Sequence, residues 1–231
     1  MRDWKDIGFP WQEALNQAWI GYCEGGAPIG AVIVNAENKI VARAHNTICG
    51  VGKDNLISGH RLAHAELNAL LKINELDGHQ DIRSYKLYST LEPCPLCIGA
   101  IVISHIRHFE FAAAEHLSGS VELIHATEYL KSKNIKVKGP IPGLESVVVS
   151  WLVCFNLECG RDKYNEYFKP DEAGYKAGIS LYNNGYLNKL REKKAAVCDV
   201  YNFVKRLIEK SSRAQFRPEK LRKLRAETVC T

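Results

Sequence analysis

The sequence has no run of about 18 consecutive apolar residues, which excludes a transmembrane helix as the sequence reads. With 8 Pro and 17 Gly in 231 residues it has too little of either for a collagen-like or low-complexity chain. Its 8 Cys are too few, at this length, for a disulfide scaffold. The first ten residues, Met1 to Pro10, lack a basic stretch followed by an apolar one, so no secretory signal is visible and a cytoplasmic location is expected. What remains is ordinary globular composition, 46% hydrophobic and 25% charged, enough for one domain with a core plus an appendage.

The charge is uneven. The net charge is +5, yet residues 189–225 alone hold thirteen Lys/Arg against four Asp/Glu, so the rest of the chain is acidic. A near-neutral body with a basic tail can attract a polyanion such as nucleic acid, although a solvated helical face explains such a run equally simply.

Hydrophobic periodicity orders the chain. Residues 10–23 read as a helix with Trp11, Ala14, Leu15, Ala18, Trp19 and Tyr22 on one side, stopped by Gly25-Gly26. Runs 29–34 and 39–44, rich in β-branched residues and joined by Asn35-Ala-Glu-Asn38, predict a hairpin. Further strands are expected at 85–90, 109–113 and 135–138, and helices at 63–76, 94–106, 121–132 and 144–157. Strands alternating with helices after a hairpin predict an α/β three-layer sandwich around a mixed five-stranded sheet. From about Gly160 no strand signal remains. Residues 161–231 read as a helical C-terminal extension broken near Pro170, Asn183-Asn184-Gly185 and Pro218, with ordered helices from about Asp171 to Ile208. The division is thus 1–160 for a catalytic domain and 161–231 for the extension. The extension's apolar residues recur at helical spacing, so packing is its first expected role and nucleic-acid binding its second.

Two motifs stand at helix starts: His64-Ala-Glu66 and Pro93-Cys94-Pro-Leu-Cys97. A helix N-terminus stabilises thiolates, and a spacing of three places both sulfurs on one face. Two thiolates and an imidazole make three zinc ligands and leave the fourth tetrahedral position to water, the arrangement of a catalytic site. Cys-x-x-Cys alone also fits a redox pair or half of a structural zinc site. The redox reading wants the pair at the first strand–helix turn, and the structural one wants a fourth ligand, for which His60, His79 and His105 offer no convincing spacing. The other cysteines, Cys23, Cys49, Cys154, Cys159, Cys198 and Cys230, are scattered and read as bystanders. Two residues from His64, Glu66 would point about 200° away on a regular helix. It can share the site only if His64 lies in an irregular first turn, and it then moves protons to and from the attacking water.

His-x-Glu followed by Pro-Cys-x-x-Cys is a known signature of zinc-dependent deaminases. The chain resembles the cytidine/deoxycytidylate deaminase superfamily over residues 10–160, through Pro28–Val34, Asn46, His64-Ala-Glu66 and Thr90–Ala100. It looks closest to the branch of tRNA adenosine deaminases, guanine deaminases and bacterial nucleoside deaminases. The resemblance implies Zn²⁺ on His64, Cys94 and Cys97, Glu66 as the proton shuttle, and Asn46 as the residue that hydrogen-bonds the base, where a plain turn residue is the simpler reading. It also implies a homodimer, into which the apolar helix from Cys94 to Ile106 would turn its second face.

The segment before His64, Ser58-Gly-His-Arg-Leu-Ala63, departs from the tRNA enzymes. Pro95 within the cysteine motif is similar to guanine deaminases, and Thr90-Leu-Glu-Pro93 to the tRNA enzymes. The expected reaction is hydrolytic loss of a ring amine as ammonia, from a free purine base or nucleoside as small-molecule substrate, with no membrane partner. The alternative is adenosine-to-inosine editing of tRNA held by the basic extension. A third reading, a catalytically inert subunit, conflicts with the presence of Glu66.

Overall fold

The computed structural model describes residues 1–49, 52, 54–73 and 81–215. Helix α1 (Phe9–Cys23) carries Pro10 in its first turn, where the missing N–H costs nothing, and leads to the hairpin β1 (Gly30–Val34) and β2 (Ile40–His45). Asn35 closes the turn, its Oδ1 accepting hydrogen bonds from the backbone N–H of Glu37 at 3.1 Å and Lys39 at 2.9 Å. Then follow α2 (Ala65–Leu71), β3 (Lys86–Leu91), α3 (Pro95–Ile103) and β4 (His108–Ala113). After these come α4 (Glu128–Lys131), β5 (Lys136–Lys138) and α5 (Glu145–Glu158).

The sheet has five strands in the order β2-β1-β3-β4-β5. Strand β1 is antiparallel to both neighbours, while β3, β4 and β5 run parallel. This is the mixed five-stranded α/β fold expected from the sequence. One face packs on α2 and α3 through Ala31, Ile33, Leu87, Ile98, Ile101 and Phe109. The other packs on α1 and α5 through Val32, Val34, Tyr88, Trp11, Trp19 and Trp151. Close approach of α1 fixes Gly30, because a Cβ there would lie 2.2 Å from the Ala14 carbonyl oxygen.

The extension is helical over its described residues, 161–215. A 3₁₀ segment, Asp162–Phe168, precedes α6 (Glu172–Asn183), α7 (Tyr186–Glu192) and α8 (Val197–Gln215). Asp171 caps α6 through the Gly174 N–H at 3.3 Å, and Gly185 takes the left-handed conformation that separates α6 from α7. Leu181, Leu187, Val200, Tyr201, Val204 and Ile208 join the same core as Trp19 and Trp151. Polar ties reinforce the contact: Trp19 Nε1 donates to the Ala195 carbonyl at 3.0 Å, and Asn188 Nδ2 to Glu158 at 2.9 Å.

Four sequence expectations are corrected. The helix over 121–132 is two pieces, a 3₁₀ turn at Val121–His125 and α4, because Thr127 caps a new helix through the Leu130 N–H at 3.2 Å. The helix expected to run to Ile106 stops at Ile103, and His105 takes a left-handed φ of 64°. A break between α7 and α8, where Lys194 has φ 52°, had no signal in the sequence. The helix expected over 63–76 is shorter, Ala65–Leu71 with Lys72 as its C-cap, and the break expected at Pro218 lies outside the described residues.

Candidate active site

Helices α2 and α3 both begin where the sheet's polar end meets them, and their first residues face each other. His64 is the cap residue of α2 with extended backbone (φ −75°, ψ 153°), so it lies outside the regular helix. That meets the geometric demand set by the two-residue spacing, and His64 and Glu66 share one site. Cys94 caps α3 in the same way (φ −75°, ψ 174°), with Cys97 one turn in.

The donor atoms converge. His64 Nδ1 lies 3.6 Å from Cys94 Sγ and 3.5 Å from Cys97 Sγ, and the two sulfurs are 3.7 Å apart. Tetrahedral zinc, with bonds of about 2.3 Å to sulfur and about 2.0–2.1 Å to nitrogen, requires separations of about 3.8 Å between sulfurs and about 3.6 Å between sulfur and nitrogen. The three residues therefore fit zinc with no rearrangement. The sulfurs are far beyond the roughly 2.05 Å of a disulfide, and both cysteines are free. Among the described residues no fourth histidine, cysteine or carboxylate joins the cluster. His60 and His105 are exposed and elsewhere, and His79 lies outside the described residues.

Protons are unevenly held here. The hydrogen bond from Cys97 draws the Cys94 thiol down to about 4, helped by His64 and opposed by burial. The same bond, with burial, pushes Cys97 upward. Hydrogen bonding to Cys94 raises the His64 imidazole against the effect of burial. Glu66 is 4% exposed, and burial raises its carboxyl above the usual range, while a hydrogen bond donated by Ser89 Oγ to Oε1 at 2.7 Å opposes it. Its other oxygen lies 3.4 Å from Cys97 Sγ. A buried carboxyl poised beside a three-donor metal cluster is equipped to take up and return a proton.

A cavity of about 210 Å³ opens over this cluster, reached by His64, Glu66 and Cys94 and walled by Ile29, Leu91 and Phe155. Asn46, 4% exposed at the end of β2, lines it too. Asn46 Oδ1 accepts the Ile48 N–H at 3.2 Å, which leaves Nδ2 as the end that can meet a bound molecule. The structure thus brings His64, Glu66, Cys94, Cys97 and Asn46 together. Sequence reasoning missed Ser89 beneath Glu66; it is fully buried in β3, and its one signal was a hydroxyl in the strand expected at 85–90. It also missed Phe155 and Arg161, which reach the cavity from α5 and the extension and carried no signal.

Residues 9–113 match the model of the cytidine and deoxycytidylate deaminase zinc-binding region. A tRNA-specific adenosine deaminase of Rickettsia bellii is 35% identical over 112 residues, covering 48% of this chain and 72% of the relative. A cytosine deaminase of Candida albicans is 29% identical over 116 residues, covering 49% and 70%. Among solved structures, guanine deaminase from Bacillus subtilis is 30% identical with a TM-score of 0.40, covering 47% of this chain and 66% of that one. The matched family region ends at Ala113, before α5 and the extension.

Proposed function

The chain belongs to the cytidine and deoxycytidylate deaminase family, and from that premise we propose that it hydrolyses a ring amine from a purine base or nucleoside and releases ammonia. His64 Nδ1, Cys94 Sγ and Cys97 Sγ would hold the zinc. When bound, zinc supplies the Lewis acidity that makes a water molecule nucleophilic near neutral pH. The reacting groups all lie within residues 1–160.

Glu66 is the proton carrier. Ser89 fixes Oε1 at 2.7 Å, so Oε2, on the side of Cys97, is the oxygen that accepts the proton of the attacking water. Burial raises its affinity for that proton, which it passes to the ring nitrogen; it then takes the second proton of the former water, from the hydroxyl on the attacked carbon, and passes that one to the departing amine. Asn46 Nδ2 orients the base, while Ile29, Leu91 and Phe155 exclude bulk water from the reacting face. The balance is one water consumed and one ammonia released, the amine-bearing carbon becoming a carbonyl.

The carrying observation is the three-donor cluster with a buried carboxyl 3.4 Å from one donor, opening onto a cavity. The test is ammonia release from adenine, adenosine, guanine, guanosine, cytosine, cytidine, the three nucleoside 5′-monophosphates and tRNA by the zinc-loaded protein. Turnover of none of them overturns the reading.

Editing of tRNA adenosine is the second reading. It is favoured by the 35% identity to a tRNA-specific adenosine deaminase and by the thirteen Lys/Arg of residues 189–225. Replacing the exposed Lys193, Lys194, Arg206 and Lys210 with Gln, which leaves the packing of the extension intact, would then abolish tRNA turnover and spare nucleoside turnover. A homodimer is proposed as well: Leu96 and Ile103 share the outer side of α3 and are 36% and 67% exposed, an apolar face suited to a second copy.

A further inference from the structure

The cavity over Glu66 does not end at its own walls. Past Ile29, Ile48 and Leu91 it opens into an outer chamber of about 410 Å³, about twice the inner one. Phe155, Ser118 and Arg161 border both spaces. One side of the outer chamber is the first segment of the extension, which presents Arg161, Tyr164 and Tyr167.

This wall is built, not draped. Gly160 turns the chain with φ 64°, and the Arg161 N–H donates to the Asn156 carbonyl at 2.7 Å. Asn156 Nδ2 donates to Asn165 Oδ1 at 2.9 Å, and Asn165, 3% exposed, donates in turn to the Val153 carbonyl at 3.3 Å. Phe168 anchors the far end in the core at 5% exposure. With the backbone pinned at both ends, Tyr164 and Tyr167 remain 41% and 38% exposed.

The charges point the same way. The carboxylates nearest the chamber are already engaged by the loop that follows β4. Glu92 accepts the N–H groups of Glu115 and Val121, each at 3.2 Å, and Glu115 accepts those of Leu117 and Ser118. Among the described residues Arg161 has no carboxylate partner; its polar contact is Cys49 Sγ at 3.8 Å. A guanidinium without a counter-ion, beside two phenols at the mouth of a base-sized cavity, has the chemistry of a phosphate site.

We propose that Arg161, with Tyr164 and Tyr167, is the specificity-determining part of the substrate site, and that the substrate is a nucleotide. Its base occupies the inner cavity, its sugar the neck at Ile48, and its phosphate the Arg161 guanidinium. This rests on the deaminase reading above and sharpens its substrate from base or nucleoside to a phosphorylated nucleoside. The phosphate has two sources, a mononucleotide or the backbone of an RNA strand, and the same residue serves either.

Equilibrium binding tests the inference, and ammonia release tests the deaminase reading separately. Binding is measured on the zinc-loaded full chain carrying Glu66→Gln, so that ligands survive. The ligands are adenosine, guanosine and cytidine, their 5′-monophosphates, and seven-nucleotide single-stranded RNAs containing each base centrally. For at least one base, a phosphorylated form should bind more tightly than the nucleoside by about tenfold to a hundredfold, the range of a charge-assisted hydrogen bond to phosphate. Adding Arg161→Ala should erase that preference, the phosphorylated ligand then binding no more tightly than its nucleoside to the same variant. Arg161 is exposed, so the variant keeps the fold. A preference for the monophosphate assigns the mononucleotide, and one confined to the heptamer assigns RNA. If no phosphorylated ligand outbinds its nucleoside, or if Arg161→Ala leaves the preference unchanged, the inference is wrong even where ammonia is released. A preference lost with Arg161 in a protein that releases no ammonia upholds the phosphate site and removes the deaminase reading.

Discussion

The two faces of the sheet do different work. On the α2–α3 side the helices are short, 7 and 9 residues, and each begins with an extended cap residue that carries a metal donor. On the α1–α5 side the helices are long, and the packing is dominated by Trp11, Trp19, Trp151 and, from the extension, Tyr201. Chemistry is concentrated where helix ends are exposed to one another, and burial where helix sides are. The comparison teaches that the family region and the extension are not divided by packing. Residues beyond Ala113 complete the core under residues that the family model matches.

The sharpest way to break this comparison is to remove chemistry without touching packing. Glu66→Gln preserves volume and an oxygen for the Ser89 hydroxyl. Turnover should fall by about 10²–10⁴ or more, since one residue serves as base and then as acid. Zinc content should stay at one per chain and the melting temperature should barely move. Activity within tenfold of the parent would take the proton-carrier role away from Glu66.

The converse experiment removes packing without touching chemistry. Leu181, Leu187, Val200, Tyr201, Val204 and Ile208 are each at most 4% exposed. Side chains of this kind contribute about 1.5–3 kcal/mol apiece when buried, against a net stability of about 5–15 kcal/mol for a whole domain. Truncation after Gly160 should therefore yield a chain without a cooperative thermal transition, and calorimetry reads this directly. A truncated chain that melts at the parent temperature would show the extension to be an attachment and would favour its role as a nucleic-acid handle.

How much of this was legible beforehand follows from the range of the interactions. The helix α1 and the hairpin were readable because their signals are local: apolar residues at three and four, and Asn35 followed by Asn38. The zinc donors were readable because each half of the motif sits within four residues. His64 and Glu66 even carried a requirement about backbone conformation that the structure meets. Local signals failed where two of them competed. The apolar period from Val121 to Leu130 suggested one helix, but the cap at Thr127 starts another. Arg161 was not readable at all: at the cavity it meets Cys49, 112 residues away, and no local signal marks such an encounter. Ser89 lies between, a buried hydroxyl whose partner could not be named until β3 and α2 were brought together.

A smaller effect separates the outer side of α3 from its inner side. Ile98, Ile101 and Val102 are at most 2% exposed, while Ile103 is 67% exposed. Ile103→Glu should leave the monomer's melting temperature nearly unchanged, because a surface substitution typically costs under about 0.5 kcal/mol. In light scattering at micromolar concentration the parent should be a dimer and the variant a monomer. A parent that is already monomeric removes the proposed second copy from that face.

The smallest effect lies in alkaline solution and belongs to the extension. Tyr201 is fully buried, its ring 5.4 Å from that of Trp4 and its Oη donating to the Arg2 carbonyl at 3.0 Å. Burial, with Asp3 and Glu209 nearby, pushes its phenol up to about 12. In the unfolded chain the same phenol titrates near 10. The folded form thus holds the proton over a range in which the unfolded form releases it. The stability this contributes is complete below about pH 10 and is lost as pH rises through about 12. Tyr201→Phe removes the titration along with the hydrogen bond to Arg2. The variant should be modestly less stable at pH 8, by about 0.5–1.5 kcal/mol for a neutral hydrogen bond, and its melting temperature should fall less steeply than the parent's between pH 10 and 12. Parallel curves over that interval would mean that Tyr201 does not keep its proton on folding. The junction between the extension and the N-terminus would then be open to solvent.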